Sequence, residues 1–159
     1  MIVRVDPAGL YPIGGTIGKG TWKDYIHGKC TPIAIAFEYY MEHLRVKHSP
    51  TSVSRLDCVF AFDNDAISTG YSLGNPTKSV YVLDATGHTL ISRHNYEVIS
   101  YLSTSFAGNY FGAILEEEPL LINYWNGTAS TEYITSMGKK LDYSNEILID
   151  SDVTVVEIK

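Results

Sequence analysis

Residues 31–50, "TPIAIAFEYYMEHLRVKHSP", predict the longest helix of the chain, and the fold class follows from what flanks it. Thr31 can cap the first turn, Pro32 suits the first helical position, and Pro50 lies beyond the end. Apolar side chains recur at helical spacing: Ile33, Phe37, Tyr40, Met41 and Leu44. We therefore expect a helix over residues 32–47 that packs this face on a core.

Segments rich in β-branched and aromatic residues lie on both sides of this helix. The predicted strands are "IVRVD" (2–6), "CVFAFD" (58–63), "SVYVLD" (79–84), "TEYITS" (131–136), "EILID" (146–150) and "DVTVVEI" (152–158). Further helices are predicted over residues 65–71, 93–102 and 116–125. Strands at both ends with helices between them indicate one compact α+β domain over residues 1–159. Its core would be a mixed or antiparallel sheet that includes the terminal strands.

Length and charge exclude several classes of protein. A chain of 159 residues with 45% hydrophobic content can bury one core, and its formal charge of −6 opposes non-specific binding to nucleic acid or anionic lipid. No stretch is long and apolar enough for a membrane helix, so we expect a cytoplasmic protein with no membrane partner. The two cysteines and five histidines have no ligand spacing, so we expect no metal.

Two local patterns suggest sites that the spacing does not support. In "YPIGGTIGKGTW" (11–22), Ile13 stands where a phosphate-binding loop needs its first glycine, and Gly20 stands where it needs Ser or Thr. We predict instead an irregular, mobile segment over residues 14–20, which could lie at the mouth of a site. The run Glu116, Glu117 and Glu118 is typical of a solvated helix start rather than a catalytic cluster.

The stretch "STEYITS", residues 130–136, contains a glutamate in a segment that otherwise predicts a strand. Because Glu is depleted in strands, Glu132 needs either a solvent-exposed face or a function. The residues alone leave both interpretations open.

Four segments, taken in order, resemble the ADP-ribosyltransferase superfamily. They correspond to strands of that fold, and the second also includes the helix that follows its strand: "VRVD" (3–6), "CVFAFDNDAISTGYS" (58–72), "SVYVLD" (79–84) and "STEYITS" (130–136). The segments "FEYYMEHLRVKHSPTSVSRLDCVFAFD" (37–63) and "YWNGTASTEY" (124–133) resemble an uncharacterised bacterial and phage branch of that superfamily. The resemblance covers most of the chain, and it rests on the order of these segments along the sequence.

The resemblance implies that NAD is the substrate and that Glu132 is the catalytic residue. Cleavage of the nicotinamide bond develops positive charge on the ribose, which a fixed carboxylate stabilises. Arg4 would hold the pyrophosphate through its guanidinium fork. Tyr71 would stack on the nicotinamide ring and Phe60 or Phe62 would line the cleft floor, although core packing also explains all three. The acceptor would be a protein or a nucleic acid, as for a toxin, a defence factor or a phage effector in the host cytoplasm.

Departures from the family pattern keep other functions open. Transferases that modify arginine usually carry an acidic residue two positions before the catalytic glutamate, where this chain has Ser130, and Arg4 is followed by Val5 rather than a small residue. Water as acceptor would make the protein an NAD glycohydrolase. The alternative is a catalytically silent module that keeps the fold and binds a host or partner protein.

Overall fold

The computed structural model describes residues 1–63, 77–87, 90–106, 111–127, 132–142 and 145–159. Tyr71, Ser130 and the predicted helix over residues 65–71 lie outside these ranges. The strands are β1 (Ile2–Pro7), β2 (Thr16–Ile17), β3 (Val59–Phe62), β4 (Lys78–Asp84), β5 (Ile91–Asn95), β6 (Asn145–Ile149) and β7 (Val153–Ile158). The helices are α1 (Thr21–Lys29), α2 (Pro32–His48), α3 (Tyr96–Phe106), α4 (Phe111–Glu116) and α5 (Glu118–Asn126), with a 3₁₀ turn at Arg55–Asp57.

The strands of the described residues form one sheet in the order β2-β7-β4-β1-β3-β6-β5. Every strand pair in it is antiparallel, so the predicted α+β class is confirmed and the sheet is antiparallel rather than mixed. Strand β1 lies in the middle, and β7 lies two places away. The two ends of the chain therefore share the sheet of a single compact domain, as predicted.

Helix α2 confirms the strongest prediction from the sequence. The Ala34 amide lies 3.4 Å from the Thr31 hydroxyl oxygen that caps the helix, and Pro32 occupies the first turn. Phe37 and Leu44 are buried, whereas Tyr40 is only partly buried against the same core. This helix, α3 and α5 cover one face of the sheet through a core that includes Leu148. Within the described ranges, no helix is both long enough and apolar enough to cross a membrane.

The segment that the sequence predicted to be irregular, residues 14–20, buries one side chain, that of Ile17, on the opposite face of the sheet. Thr16 and Ile17 pair with β7, and Ile17 is fully buried against residues of four strands. Hydrogen bonds from Gly14 N–H to the Val155 carbonyl and from Val155 N–H to the Gly15 carbonyl extend this pairing. The predicted irregular segment is therefore interrupted by β2, because backbone pairing with β7 needs no side chains, whereas residues 14–15 and 18–20 form no strand, as predicted. Its mobility stays a prediction.

Two further boundaries differ from the predictions. Residues 91–95 form β5 at the edge of the sheet, paired along their whole length with β6, so the predicted helix over residues 93–102 begins only at Tyr96. Residues 132–136 of the stretch "TEYITS" form no strand of the sheet, and Thr131 lies outside the described residues. An isolated bridge joins Ile134 to Lys140 across a turn at Gly138. This short turn segment therefore pairs with itself and not with a strand of the sheet.

Candidate functional site

The sheet is split between β1 and β3. Among the described residues, the two strands pair at Val3 and Phe62 alone, whereas β1 pairs with β4 at six positions. A cleft of about 810 Å³ enters this split and extends under α1. Its volume lies within the range of small-molecule and cofactor sites.

The hydrogen-bond register turns backbone groups of β1 toward this split. Val80 exchanges two hydrogen bonds with Lys159 on the β7 side, at 3.1 and 2.9 Å. Because Val5 lies opposite Val80, its own N–H and C=O point the other way, toward β3. Its partner there would be Phe60, but the described residues form no such pair. Val5, which lines the cleft, therefore presents a backbone donor and acceptor to a ligand.

Arg4 and Phe60, which the sequence assigned to NAD binding, both line the cleft. Arg4 Nε donates to Asp6 Oδ2, and the side chain is 17% exposed. Its Nη1 is buried and has no hydrogen-bond partner among the described residues. Phe60 is partly buried, and the edge-to-face contact with Trp22 has a centroid distance of 5.6 Å.

Aromatic rings form much of the wall. Trp22 and Tyr25 on α1 stack with ring centroids 5.4 Å apart and planes inclined by 15°. Phe62 and Tyr96 meet edge to face at 5.4 Å on the other side. Such walls suit a flat ring, which binds by stacking and dispersion rather than by charge.

Three buried charged residues form the floor of the cleft: Glu38, Arg55 and Glu146, each less than 5% exposed. Arg55 Nη1 donates to Glu146 Oε2 at 2.6 Å, while Nε and Nη2 donate to the two oxygens of Glu38 at 3.0 and 3.1 Å. The Tyr124 hydroxyl donates to Glu146 Oε2 at 2.6 Å. We call these four side chains the floor cluster.

The electrostatics of the floor cluster follow from burial and from its charge count. Burial alone lowers the pKa of Arg55, but the carboxylates of Glu146 and Glu38 raise it well above its usual value. Burial, followed by the neighbouring Glu146, raises the pKa of the Tyr124 hydroxyl. One guanidinium faces two carboxylates, so the formal charge of the floor cluster is negative. Positive charge on a ligand is therefore favoured at this depth.

Glu132 lies elsewhere. Its side chain is 65% exposed and accepts a hydrogen bond from Lys140 Nζ at 3.0 Å. It does not line the cleft that Arg4 and Phe60 share. The structure thus brings together Arg4 and Phe60 but not Glu132, and Tyr71 is outside the described residues. The rigid strand expected to hold the Glu132 carboxylate is absent from the described part of the chain.

Sequence reasoning missed the floor cluster, although a signal existed. Glu38 interrupts the buried face of α2, and Glu146 directly precedes the apolar run "ILI" of residues 147–149. Charged residues are almost never fully buried unless they are paired. A buried ion-pair network could have been predicted from these two carboxylates next to apolar residues, together with the one arginine in the segment preceding β3.

The acidic run at the start of α5 also differs from its prediction. Glu117 is buried, and its carboxylate accepts from Ser136 N–H at 2.9 Å and from the Ser136 hydroxyl at 2.9 Å. The Tyr101 hydroxyl donates to it as well, at 3.3 Å. Glu117 therefore anchors the turn segment that carries Glu132, rather than pointing into solvent.

In comparisons with known proteins, no family model matches this chain and no curated protein shows significant similarity to it. The resemblance to ADP-ribosyltransferases therefore stays a prediction, and the geometry of the cleft must carry any functional proposal.

Proposed function

We propose that this chain is an ADP-ribosyltransferase-like enzyme that binds NAD in the split between β1 and β3 and transfers ADP-ribose to a protein or nucleic-acid acceptor. One observation supports the proposal most: Arg4, Phe60 and a strand carboxylate, that of Glu146, line the same cleft. An acceptor recognised by specific contacts is consistent with the charge of −6, which opposes non-specific nucleic-acid binding. A toxin or a phage effector would use such chemistry in a host cell.

The proposed reaction breaks the bond between the nicotinamide nitrogen and the ribose C1′. The nitrogen takes the bonding pair and its positive charge is lost, while positive charge develops on the ribose. A nucleophile of the acceptor then donates a pair to C1′ and releases its proton to solvent. With water as the nucleophile the same steps give an NAD glycohydrolase. The negative floor cluster stabilises the developing charge in a site that partly excludes water.

The carboxylate best placed for this role is that of Glu146. Strand β6 fixes its backbone between β3 and β5, and Arg55 and Tyr124 fix Oε2 at 2.6 Å each. Such fixing is what charge stabilisation in a transition state requires. The catalytic role that the resemblance implies for Glu132 stays a prediction. Comparing the activities of Glu132 and Glu146 variants tests which carboxylate is catalytic.

The function is tested by titrating NAD into the purified protein and measuring nicotinamide release, with and without cell lysate as a source of acceptor. We expect binding at micromolar to millimolar NAD, together with release of nicotinamide and label transfer from radioactive NAD to an acceptor. Absence of NAD binding at millimolar concentration, together with absence of nicotinamide release in lysate, would overturn the proposal.

The alternative is a catalytically silent module with the same fold, and one observation favours it. Glu146 Oε2 is already held by two donors of the protein, and its negative charge is partly offset by Arg55. A carboxylate held in this way could serve stability alone. A stable partner captured from lysate, combined with no detectable NAD binding, would support the silent module.

A further inference from the structure

A row of aromatic rings leads from the floor cluster to the surface. The Arg55 guanidinium carbon lies 4.8 Å from the centroid of the Phe60 ring. The Phe60 ring contacts Trp22 edge to face at a centroid distance of 5.6 Å, and Trp22 stacks on Tyr25 at 5.4 Å. Arg55 is buried, Phe60 and Trp22 are partly buried, and Tyr25 is 53% exposed. Tyr25 is therefore the outer end of this row.

Tyr25 lines the cleft with an accessible ring that is held in place. Trp22, three residues earlier on α1, covers one face of this ring with its plane inclined by 15°, and no second ring of the described residues contacts Tyr25. Because residues three apart lie on the same side of a helix, the stack on Trp22 orients the Tyr25 ring before a ligand binds. A ring oriented in advance loses little conformational entropy when a flat ligand stacks on it.

The charge of the floor cluster decides which end of a dinucleotide lies next to Tyr25. The nicotinamide ring of NAD carries a positive charge, which the two carboxylates beside Arg55 favour at the floor. The adenine ring is neutral at neutral pH and gains nothing from that charge. With nicotinamide at the floor, the adenine ring lies toward the surface, where an exposed aromatic ring provides a stacking partner.

We propose that Tyr25 binds the adenine ring of NAD by stacking, with Trp22 behind it as a positioning residue. This inference rests on the proposed function, because it names a residue that recognises one half of the same substrate. It also assigns the direction of the dinucleotide in the cleft, with nicotinamide next to Glu146 and adenine next to α1. Since stacking on an aromatic ring tolerates every base, Tyr25 supplies affinity for the adenosine half rather than discrimination among bases.

The test measures binding of NAD and of its two halves, AMP and nicotinamide mononucleotide, by calorimetry. The variants are Tyr25→Ala, Tyr25→Phe and Tyr39→Ala, the last being a matched control because Tyr39 is 44% exposed on α2 and does not line the cleft. We expect Tyr25→Ala to weaken binding of NAD and of AMP about fivefold or more, because the base loses its stacking partner. Binding of nicotinamide mononucleotide should be unchanged, and Tyr25→Phe, which keeps the ring, should retain the affinity for all three ligands.

Tyr25→Ala binding NAD as tightly as wild type would overturn the inference, and so would an equal loss of affinity for nicotinamide mononucleotide and for AMP. A Tyr25→Phe variant as weak as Tyr25→Ala would assign the effect to the hydroxyl and overturn the stacking. Nicotinamide release by the wild-type preparation separates the two proposals. Release together with an unaffected Tyr25→Ala variant would remove the role of Tyr25 alone, whereas absence of both release and NAD binding would remove the proposed function with it.

Discussion

Arg55 is the residue on which the floor of the cleft most depends. It is 3% exposed, it contacts two carboxylates, and its guanidinium carbon lies 4.8 Å from the centroid of the Phe60 ring. Removal of one member of a buried ion pair leaves a desolvated charge without compensation, which costs more than the pair contributes. The sequence placed Phe60 in the cleft, but it could not place Arg55, because its partners Glu38 and Glu146 lie 17 and 91 residues away along the chain.

We predict that Arg55→Met lowers the free energy of unfolding by about 3–5 kcal/mol, because Glu38 and Glu146 then repel each other in the core. Urea denaturation at neutral pH measures this change. Arg93→Met is the control, since Arg93 is 49% exposed and pairs with Asp63 at 3.4 Å, and it should cost less than about 1 kcal/mol. Equal losses in the two variants would show that the floor cluster does not contribute to stability through its charges.

His94 makes stability depend on pH. Burial lowers the pKa of His94 to about 4 from 6.5, and the neutral ring fits its partners. Nδ1 donates to the Tyr124 carbonyl at 2.8 Å, and Nε2 lies 2.9 Å from the Ser92 hydroxyl. Because the folded-state pKa is depressed, the unfolded chain binds the proton first as pH falls. The contribution of His94 to the free energy of unfolding is therefore complete above about pH 6.5, and it is lost progressively as the pH falls to about 4.

The difference of about 2.5 in pKa corresponds to about 3 kcal/mol, at 1.36 kcal/mol for each unit. We expect urea denaturation at pH 7 and at pH 4.5 to show a loss of this order for wild type in excess of the loss for His94→Gln, whose side chain does not titrate. The same dependence on pH in both proteins would contradict the assignment.

At the scale of elements, hydrophobic periodicity predicted α2 correctly and the turn segment of residues 132–141 only in part. The alternation there is real, since Tyr133 and Thr135 are buried while Glu132 and Ile134 are exposed. That pattern indicates an extended backbone, but it does not say which strand the backbone pairs with. Tertiary contacts decide this, and here Glu117 fixes the segment on α5 through Ser136. The prediction of a sheet strand was wrong for this reason.

The end of α5 depends on Gly127, which directly follows the last residue of the helix. Gly127 has φ of +50°, and an added Cβ would lie 2.6 Å from the Arg93 carbonyl oxygen. We predict that Gly127→Ala destabilises the fold by about 2 kcal/mol or more, since strain in the left-handed region adds to a clash with backbone of β5.

Gly28→Ala is the matched comparison. Gly28 lies within α1, and nothing comes within 4 Å of an added Cβ, so it should stabilise the protein by about 0.4–1 kcal/mol. Thermal unfolding of both variants measures the contrast. A Gly127→Ala protein as stable as wild type would show that the backbone at this position adapts at no cost.

At the scale of the whole molecule, the sequence predicted an α+β domain whose terminal strands share a sheet, and the structure confirms both features. The split between β1 and β3 was not predictable from local pattern. "IVRVD" and "VFAF" predict strands regardless of whether they pair along one residue or four. The split arises where α1, with Trp22 and Tyr25, and the floor cluster occupy the space beside the two strands. The cleft thus lies where β1 and β3 fail to pair.

The central claim, that this cleft is the NAD site and that Glu146 serves it, is tested most directly by nicotinamide release from three proteins side by side. These are wild type, Glu146→Gln and Glu132→Gln, each checked for folding by thermal unfolding. We predict that Glu146→Gln lowers turnover by about a hundredfold or more, because it removes charge at the floor, whereas Glu132→Gln keeps nearly full activity. Full activity in Glu146→Gln together with a comparable loss in Glu132→Gln would contradict this account and move the catalytic carboxylate to the turn segment.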